Sequence, residues 1–469
     1  MELKQHRLMI ALVAFILIQP IIDVLTTGSI LYTSLPLTVG VIIRLAYLAI
    51  MAGWITYAAT KSKRAKYYLL YLIGFAALVI TNFGINMMVK EPFLIVEELT
   101  FYTKIVYFHV LLFGFLLLLE ALRENGSDSK KMLVNYFVIV SAMISAVFII
   151  AQVTGTSLTN YARSKEGWTG WFYAGNEIGA TMAIILPITA IYAVQKSTTL
   201  KQAAIHWLPF ILLSISMLAL GTKVGYAGIV IVLLTVLVGS ILLLVLKSQQ
   251  EDRKNVKVNT LFSTILLVIV LVVTPLTPVF GNMFAHLDIL GISLEKPPVE
   301  FDEFGEEVIP EEDTGPLFTG EQIENLVFSS REQYKADYRR QFDEAPLLQT
   351  VFGMGFAGNY EQPERHKPLK MIEMDFHDWF YAFGLLGFIY MMAPIIYFSG
   401  KYLWEFITNI KTRFNYFGML TGISFLIGIG IAYTAGHVLT APAVSIYLAF
   451  LLAVLVVTSD TQFKQKTSL

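Results

Sequence analysis

Long apolar stretches follow one another along almost the whole chain and are separated by short polar segments. A stretch of about 20 apolar residues can cross a hydrocarbon core of about 30 Å as a helix. The pattern therefore predicts an all-α polytopic membrane protein with twelve spans. These spans lie near residues 8–26, 34–58, 67–86, 104–122, 132–152, 177–194, 203–220, 224–246, 259–280, 379–398, 415–435 and 439–457.

One hydrophilic interruption, at residues 281–378, divides the chain into three parts. Residues 1–280 form an N-terminal membrane bundle of about nine spans, and residues 379–469 form a C-terminal bundle of about three. The first apolar segment lacks a small-residue cleavage site and continues into Asp23, so we expect a retained span rather than a removed signal peptide.

The basic residues lie in alternate short loops, for example Lys61, Lys63 and Arg64 after the second span. Because cytoplasmic loops carry an excess of Lys and Arg, both termini are expected in the cytoplasm and the 281–378 loop outside the cytoplasmic membrane. That loop has 21 acidic and 8 basic residues, so it is acidic and the rest of the chain is basic, although the formal net charge of the whole chain is only −1. There are no cysteines for disulfides, and no basic patch indicates a nucleic-acid partner.

The large loop has two halves. Residues 294–322 are acidic and rich in Pro and Gly, which is typical of a solvated spacer. In the second half, Ser329 to Gln333 form a capping box that predicts a helix to about Asp343, before Pro346.

The cationic side chains of that helix are candidates for binding a diphosphate. A transferase that uses a polyprenyl-diphosphate-linked sugar needs cations to hold the leaving diphosphate and a base for the acceptor hydroxyl. Arg331 is the best candidate because its planar guanidinium binds phosphate oxygens in pairs. Lys335, Arg339 and Arg340 are the helpers, and a basic helix face that balances the acidic loop is the alternative. Lys223, at a tight turn between two spans, is a further candidate or a snorkelling side chain.

His377 is the candidate general base, because imidazole accepts protons near neutral pH. Glu373, Asp375 and His377 share a face in an extended segment, and Glu373 and His377 share one in a helix. Either arrangement lets a carboxylate orient the imidazole; a metal site or an ordinary interfacial histidine are the alternatives. His437 lies on the same side of the membrane as His377. We expect it either to form a second polar wall of the cavity or to be an ordinary histidine at a helix end. Arg44, inside the second span, must face protein or water.

Several segments, in order, resemble the O-antigen ligase/polymerase superfamily of multispanning glycan enzymes, which includes Wzy-type polymerases and WaaL-type ligases. Gly170 to Gly179, with Asn176, resembles the family's Asn-containing entry to a middle span, and Gly221-Thr-Lys223 resembles its Ser-Arg/Lys turn. Ser330-Arg331, Pro346 and Gly353-Met-Gly355 resemble its outer-loop run. His377-Asp378 before Gly384 resembles its His-Asn motif, with Asp378 in place of the usual Asn.

The resemblance implies a metal-independent, inverting glycosyl transfer, without a cofactor, from an undecaprenyl-diphosphate-linked glycan. The acceptor is another lipid-linked repeat in a polymerase, which we expect here, or a different carrier in a ligase. Lys223 and Asn176 would help to bind substrate, and Glu373, Asp375, Asp378 and His437 would orient the base or bind the acceptor. Expected partners are the lipid bilayer and other membrane proteins of polysaccharide assembly.

Four other classes of protein remain alternatives. A secondary transporter fits twelve spans but predicts ionisable residues and broken helices near mid-membrane, whereas the polar groups here cluster in the loop. A flippase would share the lipid-linked substrate but does not require a large organised loop with a base at its end. Polyprenyl-phosphate-sugar-dependent glycosyltransferases place acidic residues in the first outer loop, and residues 26–34 are nearly uncharged. A membrane scaffold without chemistry is the fourth alternative.

Overall fold

The computed structural model describes residues 3–33, 37–161, 166–245, 251–288, 331–359 and 370–466, and the observations below concern these residues. This part of the chain is almost entirely helical, with one two-stranded antiparallel hairpin of β1 and β2. The elements are α1 Leu3–Ala14, a 3-10 turn Phe15–Ile18, α2 Gln19–Tyr32, α3 Val39–Ala59, α4 Lys63–Val89, α5 Ile95–Glu124, α6 Ser129–Val153, β1 Leu158–Thr159, β2 Trp168–Gly170, α7 Gly175–Lys196, α8 Leu200–His206, α9 Leu208–Leu220, α10 Lys223–Val245, α11 Arg253–Val273, a 3-10 turn Thr274–Leu276, α12 Pro278–Asp288, α13 Arg331–Glu344, α14 Leu347–Phe352, α15 Asp375–Thr408, α16 Ile410–Arg413, α17 Tyr416–Thr434 and α18 Pro442–Lys466.

The helices confirm the all-α polytopic fold. Eleven helical segments within the described ranges are long and apolar enough to cross a membrane, and the first of them runs from Lys4 to Tyr32. The pair α8 and α9, bent by 49°, passes the same test only when its two helices are taken together, and it is a twelfth span if it crosses as one broken helix. At the bend, the buried indole of Trp207 donates a hydrogen bond of 3.0 Å to Asn259 on α11.

Three helices form the centre of the bundle. The most apolar stretches of α5, α7 and α18 are 83%, 89% and 89% buried inside the protein, whereas those of α3 and α11 are only 22% buried. A helix that is apolar around its whole circumference is suited to a central position. The peripheral helices instead leave apolar side chains on the surface, where lipid can cover them.

Polar side chains fix where several helices begin. Each accepts a hydrogen bond from a backbone N–H of the first turn, which has no partner within the helix. These caps are Asp128 before α6, Thr199 before α8, Asp252 before α11 and Asn415 before α17.

One side of the bundle carries α12, α13, α14 and the β-hairpin, and we call it the loop side. The predicted helix after Ser330 is confirmed as α13, which ends at Glu344, next to the predicted Asp343. The capping residues Ser329 and Ser330 and the acidic spacer 294–322 lie outside the described residues. Tyr338 and Phe342 of α13 pack against Tyr381 of α15, which fixes α13 over the start of that helix.

Residues 353–356, after α14, are held on α4 and α5 by polar side chains of those helices. Asn86 donates to the Gly353 carbonyl at 3.1 Å, and Glu98 accepts from the Phe356 N–H at 2.8 Å. Glu98 also forms a buried ion pair of 2.6 Å with Lys90. Gly353 has a φ of 96°, and a Cβ there would lie 2.1 Å from the Ala382 carbonyl, so the turn requires glycine.

A candidate substrate site at the loop side of the bundle

The segment before α15 is held in an unusual backbone conformation by Asp378. One carboxylate oxygen of Asp378 accepts the Ile372 N–H at 3.0 Å, and the other accepts the Met374 N–H at 3.0 Å. Glu373, between these two residues, has a φ of 63°, in the left-handed region. Because this conformation is costly for a residue with a side chain, the two hydrogen bonds are needed to hold it.

Asp375 fixes a second such turn, between α17 and α18. Its carboxylate accepts the backbone N–H groups of His437, Val438 and Leu439 at 2.7–3.1 Å, and the Thr440 hydroxyl at 2.6 Å. His437 has a φ of 60°. The expectation that Asp375 orients His377 is therefore wrong, because the carboxylate points to the 437–440 turn.

These two turns place Glu373 between two cationic groups. Its Oε2 lies 3.8 Å from Nε2 of His437 and 3.4 Å from a guanidinium nitrogen of Arg331. Burial opposes ionisation of Glu373, but His437, Lys370 and Arg331 lower the pKa of its carboxyl overall. Burial likewise opposes protonation of His437, but Glu373 and Asp375 raise the pKa of its imidazole overall. The three side chains thus form a cation–anion–cation row.

His377 lies in the first turn of α15. Its ring lies 5.8 Å from that of Tyr433, and its Nδ1 is buried without a hydrogen-bond partner among the described residues. Glu373 does not orient the imidazole as expected, because its left-handed backbone directs the carboxylate to Arg331 and His437. His377 therefore keeps one ring nitrogen without a partner, and it is not among the residues that line the two cavities described next.

Two adjoining cavities lie beside this row. The first, which we call the boundary cavity, has a volume of about 360 Å³ and is walled by Glu373, Asp378 and His437 among others. The second, the membrane cavity, has a volume of about 470 Å³ and lies among α2, α3, α5 and α7. Its walls include apolar side chains of Ile30, Leu37, Val41, Leu45 and Leu99.

The two cavities meet at three shared wall residues, Thr100, Lys104 and Glu177. Deeper in the membrane cavity, Arg44 forms an ion pair of 2.5 Å with Asp23. The expectation that Arg44 faces protein or water agrees with this position. The two cavities are therefore neighbours that share one wall, with the boundary cavity next to Glu373 and His437 and the membrane cavity within the bundle.

The other predicted substrate-binding residues lie elsewhere. Arg339 and Arg340 have side chains 78% and 70% exposed and lie beside acidic residues of α13, while Lys335 pairs with Glu332 at 3.1 Å. Asn176 is exposed and does not contribute to the walls of either cavity. Lys223 begins α10 beside Gly221, whose carbonyl accepts a hydrogen bond of 2.8 Å from Asn282 of α12.

Two residues at the cavity junction were not among the candidates from the sequence. Lys104 and Glu177 stand at the predicted starts of the 104–122 and 177–194 spans, where a charge is ordinarily an interfacial residue. One feature of the sequence did point to this region. Arg44 and Asp23 lie in or beside the first two spans, and charged residues there predict polar groups inside the bundle next to those spans. Within the described ranges, no group of three His, Asp or Glu side chains is placed to hold a metal ion.

The fold and this site define a multi-pass membrane protein with a polar site at one side of its helix bundle. The chain belongs to the family of O-antigen ligase like membrane proteins, whose family model matches residues 6–462. It is thereby a protein of membrane glycan assembly, with a glycosyltransferase-type activity and a lipid-linked glycan as substrate. The comparisons with curated proteins and with solved structures gave no match.

Proposed function

We propose that the protein polymerises undecaprenyl-diphosphate-linked oligosaccharide repeats on the outer face of the cytoplasmic membrane. The observation that carries this proposal is the pair of cavities that meet at Thr100, Lys104 and Glu177. The substrate has a polar glycan and a long apolar tail. A cavity with several charged wall residues at the loop side, beside a largely apolar one in the bundle, fits both parts.

In this proposal, Arg331 and His437 hold the diphosphate of the donor. The acidic neighbours of His437 raise the pKa of its imidazole, which favours the protonated form, and that form donates hydrogen bonds to phosphate oxygens. Arg331 adds a planar pair of donors. Glu373 keeps both groups in place. The charge of Lys335, which pairs with Glu332, acts on His377.

His377 then acts as the general base. The acceptor hydroxyl oxygen forms a bond to the anomeric carbon of the donor while the bond from that carbon to the diphosphate oxygen breaks. The hydroxyl proton passes to His377, and the electron pair of the broken bond leaves on the diphosphate. Attack opposite the leaving group inverts the anomeric centre. None of these steps requires a metal ion.

Removing the protein from cells tests the proposal directly. Loss of polymerisation should leave single lipid-linked repeats, which can be separated by chain length on a gel and identified by mass spectrometry. Long lipid-linked chains that are still made but not attached to their final carrier would instead indicate a ligase. A normal glycan profile at both stages would contradict both activities.

A further inference from the structure

The charges around the membrane cavity are not balanced in the same way. Arg44 is committed to Asp23 at 2.5 Å and donates through Nε to Gln19 at 3.1 Å. Lys104 is exposed and Glu177 is half-buried, and the two interact electrostatically with each other. Neither makes an ion pair within 4.0 Å or a side-chain hydrogen bond with a residue that the structure describes, so both can contact a ligand in the cavities that they line.

The position of these two residues indicates the chemistry of such a ligand. Lys104 of α5 and Glu177 of α7 line both the boundary cavity, which has several charged wall residues, and the membrane cavity, which has many apolar ones. A lipid lying in the membrane cavity would present its headgroup at this junction. An ammonium suits a phosphate, and a carboxylate suits the neighbouring hydroxyls of a sugar, which are hydrogen-bond donors.

We propose that the junction is a second lipid-substrate site, for the acceptor, in which Lys104 binds the phosphate and Glu177 binds the first sugar. This proposal rests on the proposed polymerase, because joining two lipid-linked repeats requires two diphosphates to be held at once. The donor diphosphate lies at Arg331 and His437, and the acceptor lies in the membrane cavity. Glu177 thereby determines which sugar is accepted next to the acceptor diphosphate.

Two lipid probes separate the roles of the two residues. Binding of sugar-free undecaprenyl diphosphate, and of the same lipid carrying one sugar of the native repeat, is measured with the purified full-length protein in nanodiscs. Arg331→Ala serves as the background, so that the donor site, left with His437 alone, contributes less to binding. Lys104→Ala should weaken binding of both probes by about tenfold or more, because each loses a charge-assisted contact.

Glu177→Gln should weaken only the sugar-bearing lipid, by about tenfold, and leave the sugar-free lipid unaffected. Matched controls are Lys131→Ala and Glu124→Gln, exposed residues that line neither cavity. Both controls should bind as the background protein does. Equal weakening of both probes by Glu177→Gln, or no weakening of either, would overturn the role of this residue.

Two further outcomes would overturn the second site itself. One is complete loss of binding in the Arg331→Ala background, which would mean that a single site holds the lipid. The other is competition by phosphatidylglycerol as strong as that by undecaprenyl diphosphate, which would identify an ordinary phospholipid site. Polymer formation by the wild-type protein is scored separately, so the polymerase can stand when the second site fails.

Discussion

The carboxylate of Glu373 lies 3.8 Å from Nε2 of His437, and both residues have left-handed backbone, with φ of 63° and 60°. A different aspartate fixes each turn: Asp378 binds the N–H groups on both sides of Glu373, and Asp375 binds those of the 437–439 turn. Gly436 completes the fit, since a Cβ there would lie 2.5 Å from the Glu373 carbonyl oxygen. The pair is therefore positioned by backbone hydrogen bonds rather than by its own attraction.

The Glu373–His437 pair predicts a specific pH dependence of stability. The lowered pKa of Glu373 gives stability that is present above its ordinary value of 4.5 and is lost as pH falls through the lowered pKa. The raised pKa of His437 gives stability that is present below 6.5 and is lost as pH rises through the raised pKa. The stability contributed by Glu373 and that contributed by His437 are therefore both fully present only between pH 4.5 and pH 6.5.

Thermal unfolding of Glu373→Gln and of the wild type, measured across pH, checks this. The difference in Tm should be greatest between pH 4.5 and 6.5 and should shrink on either side. It should be small, about 2 °C, because both side chains are partly exposed and screened by solvent. Glu344→Gln, at the exposed end of α13, should show no such maximum. A difference that does not vary with pH would argue against an ion pair.

Arg331 is expected to be needed for transfer through its guanidinium, not only through its charge. Arg331→Ala should lower the rate about a hundredfold or more, and Arg331→Lys should remain impaired because it loses the paired donors. Arg253→Ala, an exposed arginine at the start of α11, is the matched control and should be normal. The readout is polymer formed by purified protein from a lipid-linked repeat. Near-normal polymer from folded Arg331→Ala protein would refute the assignment.

His377 is expected to act as the base. His377→Ala should lower transfer by about a hundred- to ten-thousandfold while the protein still folds, because a sugar hydroxyl is a weak nucleophile without a base. Transfer by the wild type should continue after treatment with a metal chelator. Inhibition by the chelator that is reversed by a divalent ion would assign His377 to metal binding instead.

The orientation of the chain can be tested with single cysteines, because the native sequence has none. Leu347→Cys lies on α14, where the leucine side chain is 76% exposed, and Lys254→Cys lies at the exposed start of α11. An impermeant thiol reagent applied to intact cells should label position 347 and not position 254. Labelling of 254 alone would reverse the topology and place the candidate site in the cytoplasm.

The spans were predictable because length and apolarity alone decide whether a helix can cross a membrane. The arrangement around Glu373 was not predictable in the same way. The expectation that Glu373 and His377 share a face assumes that the chain between them is a regular strand or helix. The left-handed backbone at Glu373 belongs to neither, so the side chain does not point where that spacing predicts. The partners of Asp375 are more than 60 residues away, in a turn between two spans, so no local pattern reveals them. Lys104 and Glu177 share a cavity only after α5 and α7 have both packed against α18.

The two aspartates that fix the turns should differ in their tolerance of asparagine. Asp375 accepts three backbone N–H groups and one hydroxyl, so the amide nitrogen of Asn would face donors and leave some of them unpaired. Asp378 accepts only two N–H groups, and the single carbonyl oxygen of Asn can retain one of them. Each buried donor left without a partner costs about 1–3 kcal/mol. Asp375→Asn should therefore lower Tm and polymer formation more than Asp378→Asn does, and equal effects of the two substitutions would show that the Asp375 network does not hold the His437 turn.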